Sequence, residues 1–152
     1  MMGAMGSRTG LWTLWVTCLL VLALQVAWAS LAAPRANPWN AAETAVAGFV
    51  LALFALSGGV GSFAIRETFL LRHLRRGALD LATPSGLART RRVLLALWLL
   101  CLLVAVLGAI VAYGSASPRA AWPYQIAAGV LLVIHAPRSG LLRGREPEPQ
   151  SA

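Results

Sequence analysis

"VLLALWLLCLLVAVLGAIVAY", Val93–Tyr113, contains no charged residue. A helix needs about 20 apolar residues to cross the hydrocarbon core of a bilayer, so this run places the chain in lipid. The composition agrees. Of the 152 residues, 59% are hydrophobic and 12% charged, with a mean hydropathy of +0.72, against roughly 25% charged residues in soluble domains. The 13 basic residues are all arginine. An alanine- and leucine-rich chain without lysine carries the bias of a GC-rich bacterial genome. Its arginines therefore do not by themselves argue for phosphate recognition, although the guanidinium is suited to it.

Three further apolar runs lie outward from this one. Leu11–Ala33 has no charge, Ala41–Ile65 carries only Glu43, and Trp122–Ala136 is shorter but extends through Pro118–Ala121 and residues 139–142. The pattern predicts an all-α, polytopic four-helix bundle. Its parts are an N-terminal segment 1–10, spans at 11–33, 41–65, 93–113 and 119–136, a basic loop 66–92, and an Arg- and Pro-containing tail 137–152 that reads as disordered. Arginine counts in short loops set orientation. With both termini cytoplasmic, Arg8, Arg66, Arg72, Arg75, Arg76, Arg89, Arg91, Arg92, Arg138, Arg143 and Arg145 fall inside, and only Arg35 and Arg119 outside. The aromatic rings agree: Trp28, Trp39, Tyr113, Trp122 and Tyr124 fall near the outer interface, and Trp12, Trp15 and Trp98 near the inner one, where amphipathic rings settle. "AWAS", Ala27–Ser30, offers a signal-peptidase alternative for the first run. That run exceeds the usual signal core of about 7 to 15 residues, so a retained span is expected.

Residues that carry chemistry are few. Ser57 with Gly61 and Gly58 with Ser62 form overlapping small-xxx-small patterns in the second span. Small residues let backbones approach, and packing drives helix association in lipid. A close helix contact is expected, within the bundle or between subunits; the bland alternative is that glycine and serine are simply frequent in membrane helices. Glu43 is the only acid in an apolar run. Two residues from the start of that run, it suits the positive end of a helix dipole better than the mid-membrane position of an ion-coupling group. His73 and His135 both fall on the cytoplasmic side, where a bis-histidine haem is the alternative to ordinary interfacial side chains. Gln25 and Gln125 are expected to hydrogen-bond across helices. Cys18 and Cys101 each lie in an apolar run, as small hydrophobes do, without the spacing of a disulfide framework or zinc site. Phosphate loops, nucleophile elbows and paired catalytic carboxylates are absent from the sequence, so no cofactor is expected.

The basic loop has its own pattern. Leu70, Leu74, Ala78 and Leu81, with Leu71, form one side of a helix, and Arg72, Arg75, Arg76 and Asp80 the other. Arg76 and Asp80 make a favourable i, i+4 pair. Such a helix lies on a membrane surface, and "TPSG", Thr83–Gly86, then ends it, with Ser85 placed to cap a short helix into the third span. The arginines of this loop, Arg66, Arg72, Arg75, Arg76, Arg89, Arg91 and Arg92, fix topology and attract anionic headgroups, each by about 1 kcal/mol before screening. Nucleic-acid binding would use the same charge, but no recognition fold or interleaved aromatics accompany it.

Residues 93–138, with "WPYQIAAGVLLVIHAPR", resemble the last helices of small, uncharacterised four-helix bacterial membrane proteins. "AVLGAIVAY" is similar to the glycine-containing part of the carboxylate-bearing helix of ATP synthase c subunits. Where that pattern has its carboxylate this chain has the region of Cys101 and Leu102, so the resemblance implies a helical-hairpin membrane protein and no proton-carrying role. The expected function is therefore a non-enzymatic structural or accessory subunit of the bacterial inner membrane, packing as a homo-oligomer or within a larger complex. The alternative is a small oligomeric transporter or channel subunit, for which Glu43 is the sole acidic candidate.

Overall fold

Backbone N–H and C=O groups find no water in lipid and must bond within their own segment, so long apolar runs become helices. The computed structural model describes residues 2–75 and 83–137, and among them no strand forms. α1 (Met2–Ala32) closes in a 3-10 turn, Ala33–Arg35. α2 (Ala41–Ile65) continues through a π-helical stretch, Arg66–Leu71, to a last α-turn, Arg72–Arg75. α3 is Pro84–Gly114, and a 3-10 turn, Pro118–Ala121, leads into α4, Trp122–Ile134. Three stretches are long and apolar enough to cross a membrane: Gly10–Arg35, Ala41–Leu71 and Ser85–Gly114. The fourth helix forms where the sequence predicts one, but its 13 residues rise only about 20 Å.

Local chemistry sets the helix ends. Asn40 Oδ1 accepts from the Glu43 backbone N–H at 2.8 Å, and Glu43 Oε2 accepts from the Asn40 N–H at 3.1 Å. This reciprocal capping box satisfies two orphan donors at the start of α2. α3 begins differently from the sequence expectation. Thr83, not Ser85, is the cap, its Oγ1 accepting from the Gly86 N–H at 3.2 Å. From Pro84 onward, among the described residues, α3 runs unbroken into the third span, with no separate short helix. Proline favours the first helical position and holds the residue before it extended, which makes Thr83 the cap. At the other end, Ala116 N–H donates to Tyr113 O and Ser117 N–H to Ala112 O, at 3.2 and 3.0 Å. These are the two bonds of a Schellman closure, and they hold Ala116 at φ 50°.

The basic loop also starts otherwise than expected. Helix continues past Ile65, and Leu70 is buried with Leu11, Leu94, Leu97 and Trp98. Leu70 thus packs inside the bundle, and Leu71 beside it is half-buried. From Arg76 onward, Asp80 included, that amphipathic pattern lies outside the described residues.

α3 is the hub of the bundle: α1, α2 and α4 all pack on it, and α4 also contacts α1. Close approach is built in at two glycines. A Cβ on Gly108 would lie 2.5 Å from Tyr124 Cβ and 3.2 Å from the Ala121 carbonyl oxygen; one on Gly114 would lie 2.3 Å from the Trp39 ring. The Trp39 N–H donates to Gly114 O at 2.7 Å, so the α1–α2 connection is fastened to the end of α3. Trp28 stacks on Tyr113 at the same end, with ring centroids 6.2 Å apart.

Candidate functional site

The polar side chains converge at the other end of the bundle, where α4 stops. His135, the residue after α4, is 2% exposed. Its Nε2 lies 3.1 Å from Ser62 Oγ, and the Ser62 hydroxyl donates to Gly59 O at 2.7 Å. With its proton committed to Gly59, Ser62 accepts from the histidine, which makes Nε2–H the donor and leaves Nδ1 as an acceptor. That Nδ1 is buried and has no partner. Helix C-termini leave carbonyls without intrahelical partners, and here two indoles take them: Trp98 Nε1–H donates to His135 O at 3.1 Å, and Trp15 Nε1–H to Leu132 O at 3.0 Å. Each of the four helices contributes one member of this clasp: Trp15, Ser62, Trp98 and the end of α4. Phe63 covers it, its ring centroid 5.4 Å from that of His135.

Trp98 therefore differs from its sequence expectation. It is fully buried and turned inward, because the terminal carbonyls of α4 offer its N–H a partner that lipid does not.

No family model matches the chain, and no curated protein or solved structure matches it either.

The small residues of α2 divide into two faces. A Cβ on Gly58 would meet Val104 of α3 at 3.6 Å, and Ser62 is buried in the clasp; Gly61 faces open space and Ser57 is exposed. Glu43 is occupied in the α2 cap. His73 does not share partners with His135: its Nδ1 lies 3.1 Å from Thr68 O, and its Nε2 3.2 Å from Arg89 Nη2. This contact ties the end of α2 to the start of α3. Arg66 is half-buried, and Arg72, Arg91 and Arg92 are exposed. Arg75 closes the last turn of α2, and Arg76 lies outside the described residues. Cys18 and Cys101 are free thiols packed in the same apolar cluster. Trp15 with Leu132 and Leu22 with Gly129 set the antiparallel register of α1 and α4, which brings Gln25 and Gln125 to the same height. Gln25 Oε1 and Gln125 Nε2 are both buried without a hydrogen-bond partner.

Sequence reasoning missed Trp15, Trp98, Gly59 and Gly108 as contact-makers. For Trp98 a signal existed: a tryptophan well inside an uncharged run needs a partner for its N–H.

Proposed function

We propose that this chain is a four-span protein of the bacterial cytoplasmic membrane, with both termini inside, serving as a non-catalytic structural or accessory subunit. α4 and the 3-10 turn before it together rise roughly 28 Å, close to the ~30 Å of a hydrocarbon core; that length supports a fourth crossing. Arginine placement supports the orientation.

The observation that carries the subunit role is the division of α2. Only 6% of its apolar window is buried within the protein. Gly58 and Ser62 turn inward, while Ser57 and Gly61 turn outward where nothing fills the space. An outward small pair lets the backbone of a second helix approach, whether from another copy of the chain or from a larger membrane complex. The helix-packing set thus has two jobs: Gly58 and Ser62 hold the bundle, and Ser57 and Gly61 meet a partner. The inner arginines, including Arg72, Arg89, Arg91 and Arg92, face anionic headgroups.

A small transporter or channel is less well supported, because Glu43, its acidic candidate, closes the α2 cap. Extraction in a mild detergent from cells expressing the protein at native level tests the subunit role. Copies of the chain or other membrane polypeptides are expected to co-purify; a lone chain in native-membrane nanodiscs would contradict it.

A further inference from the structure

A lateral groove of about 670 Å³ lies between α2 and α4, within the roughly 300–1,000 Å³ of ligand sites. Ala52, Gly59 and Phe63 line its α2 wall, Val104 its floor, and Ala127 and Leu131 its α4 wall. Both ends are closed by hydrogen bonds between those helices: Tyr124 O–H donates to Gly48 O at 3.3 Å, and His135 pairs with Ser62 at 3.1 Å. A helix about 10–12 Å across does not enter a slot tied at both ends. A single extended hydrocarbon chain does.

An arginine follows the α2 wall at the end of the slot that His135 closes. The α2 wall repeats at helical spacing, and Arg66, three residues after Phe63, continues the same stripe. Arg66 is half-buried and close enough to His135 for its charge to act on the imidazole. The buried, unpartnered His135 Nδ1 lies beneath Phe63 at that end. A guanidinium with free donors binds a phosphate through charge-assisted, bidentate hydrogen bonds. Exposed Arg72, Arg89, Arg91 and Arg92 add positive potential beyond the same end, which favours a headgroup of net negative charge.

We propose that this groove holds one acyl chain of an anionic phospholipid, whose phosphate rests on Arg66. The proposal deepens the lipid contact of the membrane reading above and does not depend on self-association.

Delipidated full-length protein, titrated with phosphatidylglycerol or phosphatidylcholine and examined by native mass spectrometry, tests it. The wild type is expected to retain one phosphatidylglycerol at about fivefold lower lipid concentration than phosphatidylcholine, the equivalent of about 1 kcal/mol for one arginine at the surface. Arg66→Gln should abolish that preference. Gly59→Leu and Ala127→Leu fill the slot from its two walls and should lose both lipids, while Arg119→Gln, in the 3-10 turn before α4, should match the wild type. Circular dichroism identifies a variant that fails to fold; Ala127 is exposed, so its substitution keeps the test decisive if Gly59→Leu does not fold. Equal retention of the two lipids by the wild type would overturn the headgroup assignment. Undiminished retention by folded Ala127→Leu would overturn the groove assignment. Lipid retention by a protein that remains a lone chain would sink the subunit role and leave this site standing.

Discussion

α2 and α3 are consecutive, long and apolar, yet half of the apolar window of α3 is buried within the protein and only 6% of that of α2. Apolar composition along a helix does not say which of its faces are covered. Lipid tails are as apolar as leucine, so no hydrophobic force drives one helix onto another. The difference lies in residues that permit close approach or demand a partner. α3 has Gly108 beneath Tyr124, Gly114 beneath Trp39, and Trp98 reaching the end of α4. α2 turns one stripe inward, Gly58, Gly59 and Ser62, and leaves the rest to lipid or to another protein.

That contrast breaks most readily at Gly108. Leucine there places side-chain atoms where the Tyr124 Cβ and Ala121 carbonyl already stand, so α4 must move off α3. A loss of about 3 kcal/mol is expected from overpacking, read as a lowered unfolding midpoint in detergent. Next comes a paired substitution on α2. Ser62→Ala leaves the His135 Nε2–H buried and unpaired, costing about 1–2 kcal/mol, whereas Ser57→Ala should change stability by no more than about 0.5 kcal/mol. Equal effects would show that the two faces of α2 are not distinct. A gain is expected at the far end of α3: Ala116 holds a left-handed conformation that costs a non-glycine residue about 1–2 kcal/mol, so Ala116→Gly should raise the midpoint by the equivalent of about 1 kcal/mol. The smallest effect concerns α1 and α4. Gln25 Oε1 and Gln125 Nε2 are each buried without a hydrogen-bond partner, so a double-mutant cycle on Gln25→Leu and Gln125→Leu should give almost no coupling; a value of about 0.6 kcal/mol, typical of bonded polar pairs between membrane helices, would show that the two amides do pair.

The helices themselves were legible in the sequence because uncharged runs and arginine-rich boundaries record the bilayer directly. The capping role of Glu43 was partly legible, since its place near the start of a run marks a first turn. The clasp was not. His135 and Ser62 are 73 residues apart, and nothing in the pattern of either helix says that they meet. Trp98 reads as a belt residue from its depth alone, because depth is encoded in one dimension and facing is not. The two-faced character of Ser57–Ser62 stayed hidden for the same reason: overlapping small-xxx-small pairs look alike until a neighbour occupies one of them. The start of α3 was misjudged by two residues, where the proline decides the cap and the more exposed serine does not.

The outward face of α2 is tested most directly by the size of the particle that Gly61→Leu forms in native-membrane nanodiscs, compared with the wild type. A side chain at Gly61 meets open space within the chain, so the substituted protein should keep the wild-type unfolding midpoint and yet be released as a lone chain. A particle of unchanged size would contradict packing through Ser57 and Gly61.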